Sequence, residues 1–214
     1  MLLSLIFSEP LFAVVFIIAV LISLTVHEFA HGITAYYYGD STAKDLGRLS
    51  FNPLVHIDTM GALSFLVFGF GWGKPVPVNS LNFKNRKLGD IMTSLAGPAS
   101  NLLMAIIFAL IYHGVKGFLL PTNLLYVFLQ LSFVLNIGLM VFNLIPMPPL
   151  DGSHLLLHAI PDQYASLKMK IRVYGPQVLL ALVFLSIFTN ISIFGWIYGV
   201  VRFFAANLGV PLFF

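Results

Sequence analysis

The chain has 214 residues, of which 59% are hydrophobic and only 9% charged, with no cysteine and a formal net charge of +3. A soluble domain carries roughly 25% charged residues, so this composition excludes a water-soluble globule and specifies an integral membrane protein embedded in a lipid bilayer. Without cysteine there are no disulfides, thiolate metal sites or Cys nucleophiles, and the small, scattered positive charge offers no footprint for nucleic acid.

A helical span needs about 20 predominantly apolar residues. The first such segment runs from Leu11 to Tyr38. Its N-terminal part resembles a signal peptide but lacks a basic leading region and flows directly into polar residues of interest, so it reads as retained. Those residues are His27-Glu28-Phe29-Ala30-His31. On a helix His27 and His31 lie one turn apart on a shared face, where two imidazoles can bind one metal ion. Glu28 beside them can take a proton from water on that metal. In a soluble protein this pattern reads as a zinc protease, and ionisable groups at membrane depth are functional hypotheses by default. Tyr36, Tyr37 and Tyr38 close the span as an aromatic belt does at headgroup depth.

The segment Gly39 to Lys87 follows, polar and rich in Gly and Pro. Its middle, Gly61 to Val78, is too short and broken for a span, and its alternation of Phe, Val and Gly predicts strands or a re-entrant hairpin. Spans from Leu88 to Val115 and from Leu124 to Ile145 come next. A polar connection, Pro146 to Tyr174, leads to a fourth span, Gly175 to Phe204, with a short helix starting near Asp151. The prediction is an all-α membrane protein of one domain over residues 1–214, with about four transmembrane helices and a small β-hairpin or re-entrant segment between the first two. Nine of the eleven lysines and arginines fall in Gly39–Lys87 and Pro146–Tyr174. The positive-inside rule then puts both connections in the cytoplasm, both termini outside, and the His-Glu segment towards the cytoplasmic face.

A catalytic zinc site uses three protein ligands, so His27 and His31 need a third. Asp151 is the strongest choice, because it follows the third span on the same side. The alternative is that it only caps the helix beginning at Gly152.

His27-Glu28-x-x-His31 together with Asn143-x-x-Pro146-x-Pro148-x-Leu150-Asp151-Gly152 resembles the site-2 protease family of intramembrane zinc metalloproteases. Asn52-Pro53-Leu54-Val55-His56-Ile57-Asp58 with Gly61, Gly71-Trp72-Gly73-Lys74-Pro75-Val76-Pro77-Val78-Asn79, and Gly97-Pro98-Ala99-Ser100-Asn101 resemble further motifs of that family, in the same order. The likeness is to its minimal group, without PDZ-like or CBS-like domains. It implies one zinc ion held by His27, His31 and Asp151, with Glu28 as general base and Asn143 as hydrogen-bond donor to the oxyanion. The substrate would be a transmembrane protein or peptide, unwound and cut in a prokaryotic plasma membrane, with Gly61–Val78 capturing it by β-addition. Asn143 as an ordinary interhelical hydrogen-bonding residue, and Gly61–Val78 as a mere plug, stay open beside these roles. So does a rival reading as a metal-binding membrane transporter, although a transit site needs no adjacent base and no internal repeat is present.

Other polar residues read more plainly. Asn101 orients helices near the site. His56 and Asp58 hydrogen-bond within their loop, positioning it near the metal being the alternative, and His113 is an anchor at the outer membrane interface. His154 and His158 are solvated, a second metal pair being the alternative. Gly97 and Gly114 permit close helix approach. Nothing in the sequence fixes the oligomeric state.

Overall fold

Apolar runs of this length become helices because hydrocarbon offers the backbone no hydrogen-bonding partner, whereas a helix satisfies its own N–H and C=O groups. The computed structural model describes residues 2–118, 120, 123–189 and 191–212. Its helices are α1 (Leu2–Ser8), α2 (Pro10–Tyr38), α3 (Thr42–Asp45), α4 (Thr59–Phe68), α5 (Arg86–Val115), α6 (Leu124–Asn143), α7 (Gly152–Ala159), α8 (Ala165–Phe188) and α9 (Gly195–Leu208). Four helical stretches are long and apolar enough to cross a membrane: Pro10–Tyr38, Arg86–Val115, Leu124–Asn143 and Asp162–Phe188.

The ends of these helices are written into the sequence. Pro10 opens α2 at a position whose N–H has no helical partner anyway. Gly39, at φ +110°, closes it in the left-handed conformation that favours glycine. Asn85 and Asn123 cap α5 and α6 by accepting from Leu88 N (3.1 Å) and Leu125 N (2.9 Å). Just beyond α2, buried Asp40 accepts from Thr42, Asn79 N and the Asn82 amide, tying the end of α2 to the 79–82 turn. Burial alone would raise its carboxyl pKa, but these donors outweigh that and hold it below the usual carboxylate range.

Helices α2, α5 and α6 pack on one another, and α9 lies against α6. Ala19, Ala105 and Ala109 are buried between them, where small side chains let backbones approach closely. Leu129, Phe133 and Ile137 of α6 fill the centre, and the Tyr112 and Tyr126 rings meet edge-on at 5.1 Å. Helix α8 stands at the margin. Val173, Val178, Leu180, Leu185 and Phe188 are all exposed, and a contact to α4 runs through Phe68 on Phe184 and Phe188.

Two expectations need correction. The Gly61–Val78 segment is no β-hairpin, and among the described residues there is no strand, only an isolated bridge between Ile57 and Gly73. Its first half is helix α4, because Asp58 caps it by accepting from Gly61 N at 2.8 Å and Gly69, at φ +75°, ends it. Those two caps outweigh the alternation that suggested strands. The fourth span also shifts: α8 begins at Ala165, runs through Pro176 and stops at Phe188, and α9 is separate. Lys168, Lys170 and Arg172, read as loop charges, are good helix formers in its first turns. Thr189 turns extended (φ −120°, ψ 163°), ending the helix inside an apolar run.

Candidate metal centre

Helix geometry alone brings His27 and His31 together on the inner face of α2, 5% and 8% exposed. Their Nε2 atoms stand 3.0 Å apart. Asp151, at the start of α7, places Oδ2 3.3 Å from each of them. Two ligand atoms about 2.0–2.1 Å from a tetrahedral zinc are themselves about 3.3 Å apart, so the triangle has the size zinc requires. Asp151 Oδ2 is buried and accepts no hydrogen bond, as an atom held for a metal would be. Among the described residues this is the one group of three such side chains whose ligand atoms converge. Imidazole and carboxylate without thiolate suit zinc.

The far ring nitrogens are also engaged. His31 Nδ1–H donates to the Thr93 backbone carbonyl (2.7 Å) and His27 Nδ1–H to Asn101 Oδ1 (2.6 Å), both on α5. That leaves each Nε2 lone pair facing the triangle. Gly97 sits opposite: a Cβ there would be driven into both imidazoles, so only glycine lets α5 pass this close. The sequence suggested helix approach for Gly97 and Gly114, and the structure sharpens the first and corrects the second, since Gly114 has nothing within 4 Å of an added Cβ.

Glu28 is buried beside His27, and its Oε2 accepts the Val76 backbone N–H at 2.7 Å. Val76 belongs to an extended stretch anchored by Lys74 N on His56 O (2.8 Å) and by Arg48 Nη2 on the carbonyls of Lys74 and Pro75 (2.7 and 3.2 Å). Asn143 ends α6 and gives one amide hydrogen to Leu139 O at 3.1 Å. Its other amide hydrogen has no partner among the described residues.

Of the remaining residues, His56 is fully buried and donates to Ser50 O (2.8 Å), while Asp58 caps α4, both loop roles as expected. His113 donates to Leu208 O (2.6 Å), joining α5 to α9. Tyr36 and Tyr37 are exposed, and Lys44 donates to the Tyr36 hydroxyl. His154 and His158 are not merely solvated: both donate to Asp90 Oδ2 on α5, at 3.1 and 2.6 Å. Sequence reasoning missed the carbonyl of Thr93, the N–H of Val76, and Asn136. The last had a signal, an amide in the middle of an apolar span.

A profile of peptidase family M50 matches residues 15–127 and 119–186. Three relatives carrying the name "Putative zinc metalloprotease" are similar over most of the chain. YwhC of Bacillus subtilis is 39% identical over 171 residues, 78% of each chain. Rip2 of Mycobacterium tuberculosis is 31% identical over 210 residues, 90% of this chain and 75% of its own. MJ0611 of Methanocaldococcus jannaschii is 30% identical over 155 residues, 71% of this chain and 75% of its own. No solved structure matches significantly.

Proposed function

The chain belongs to peptidase family M50, a family of zinc metallopeptidases of the membrane, and from that premise we propose that it cuts a peptide bond in or beside a transmembrane segment of another membrane protein, as the endopeptidase of regulated intramembrane proteolysis. The observation that carries this reading is the meeting of His27, His31 and Asp151, with Glu28 alongside, where His27, Glu28 and His31 lie on a helix long and apolar enough to cross a membrane.

In this reading His27 Nε2, His31 Nε2 and Asp151 Oδ2 hold the zinc. Bound there, zinc acidifies water towards neutral pH and polarises the scissile carbonyl. Glu28 takes the proton on Oε1, the oxygen Val76 leaves free, and returns it to the departing amine. The second amide hydrogen of Asn143 serves the developing oxyanion. The substrate helix keeps its carbonyls in its own hydrogen bonds, so the segment to be cut must first unwind. The basic residues argue for a cytoplasmic-side active site with both termini outside, and the bacterial and archaeal relatives suit a prokaryotic plasma membrane.

The test is reconstitution in liposomes with a single-span substrate, with zinc stripped by chelator and restored. A zinc-dependent fragment ending in or next to the span is the expected result. Zinc uptake by sealed vesicles without cleavage would favour the transporter, and cleavage of soluble peptides alone would remove the intramembrane reading.

A further inference from the structure

A neutral imidazole carries one N–H, and a histidine that binds metal through Nε2 must keep its proton on Nδ1. For His31 this is settled by the Thr93 backbone carbonyl, which can only accept. His27 has no such guarantee. Its partner is the side-chain amide of Asn101, and an amide rotated by half a turn would present NH2 instead of oxygen. Nδ1 would then have to accept, and the proton would move to Nε2, where the metal belongs.

The rotation is blocked by what lies behind Asn101. Its Nδ2 donates to Asn136 Oδ1 at 2.8 Å, with a longer approach to Ser23 O at 3.4 Å. Asn136 is held in turn, because its own Nδ2 donates to Ser132 O and to Ser23 Oγ, each at 2.8 Å. The hydroxyl hydrogen of Ser23 is spent on Ala19 O at 2.7 Å, so its oxygen faces Asn136 only as an acceptor. The two backbone carbonyls at the far end thus give every link one sense, through Asn136 and Asn101 to His27. Ser23, Ser132, Asn101 and Asn136 are all 0% exposed, so no solvent can replace a reversed link.

We propose that Asn136 and Ser23 are positioning residues for the metal centre, fixing the Asn101 amide so that His27 stays protonated on Nδ1 with Nε2 open to zinc. This rests on His27 being a ligand, which loss of zinc in His27→Ala tests separately. The relay is tested by zinc affinity, measured by chelator competition on the purified full chain, and by 15N NMR of the His27 tautomer in the metal-free protein. Asn136→Leu is expected to weaken zinc binding about 10- to 100-fold, the scale of outer-shell changes, and to mix the two tautomers. Asn101→Asp supplies a carboxylate that accepts from His27 Nδ1–H through either oxygen, while its other oxygen meets Asn136 Oδ1, acceptor against acceptor, a conflict that Asn136→Leu removes. In that background Asn136→Leu should cost less than about threefold. Equal losses in both backgrounds, or an unmixed tautomer in Asn136→Leu, would overturn the relay. If Asn136→Leu does not fold, Asn136→Ala, which also removes the whole amide, is read the same way in both backgrounds, with the same two outcomes deciding.

Discussion

Val76 donates its backbone N–H to Oε2 of Glu28 across 2.7 Å, so a loop residue fixes one oxygen of the proposed general base. The stretch carrying it has little left to offer a substrate. Lys74 N is given to His56 O, Val76 N to Glu28, and Pro75 and Pro77 have no N–H. From residue 74 to 77 no backbone donor is free, so an incoming strand would find only acceptors there. A full β-ladder on this edge, as the sequence suggested, lacks half its bonds.

Glu28→Gln keeps the shape and an acceptor for Val76 N but removes the base. Zinc content should be unchanged while proteolysis falls by at least about a hundredfold, the lower scale for a positioned acid–base group. Elemental analysis beside a cleavage assay checks both, and normal cutting would free Glu28 of the role.

The metal triangle predicts one zinc per chain. The double change His27→Ala and His31→Ala should abolish it, and Asp151→Ala should weaken it at least about tenfold. Active wild-type protein without a transition metal would contradict the site.

Gly97→Ala should separate metal loss from unfolding. Alanine is about 1 kcal/mol better than glycine in a helix, yet here the methyl enters both imidazoles. Zinc affinity should drop at least about tenfold while far-UV circular dichroism keeps the helical signal. Full zinc occupancy in this variant would mean that α5 stands further from α2.

Single cysteines placed at Ser41 and Ser166, on a cysteine-free background, report topology. Both should resist an impermeant reagent added outside intact cells. Labelling of either from outside would reverse the orientation drawn from the basic residues.

Substrates differing only in helix propensity should be cut at different rates. Gly or Pro near the scissile bond weakens a helix by roughly 1 to 3 kcal/mol and should speed cleavage, while Leu or Ala should slow it. Rates that follow one side chain instead would point to a specificity pocket.

The convergence of His27, His31 and Asp151 was legible because its information is local or motif-borne. The spacing of His27 and His31 needs only a helix, and Asp151 stands in a Pro-rich break that a membrane tolerates only for a reason. Their partners were not, because Thr93 O, Val76 N and the Asn101–Asn136 pairing depend on how helices and loops far apart in sequence come to rest. Local pattern also misled. Phe, Val and Gly alternate in 61–78, but Asp58 and Gly69 supply cap signals that make the first half helical. At α8 the tolerated Pro176 hid a start ten residues earlier than Gly175, and the same glycine turns out to abut Pro148 in the segment leading to Asp151.

The Ser23–Asn136–Asn101 chain also works as a mechanical key. Its three residues come one each from α2, α6 and α5, and each helix turns by about 100° per residue. Rotating any one helix by a single position would swing its polar group out of the interior and strand the other two in hydrocarbon. Lipid gives apolar helix faces little reason to prefer one mutual rotation, so this interlock sets the angular register of the bundle. The face that presents His27 and His31 is therefore set in the depth of the membrane, and the connecting loops can vary in length and move without turning the imidazoles away.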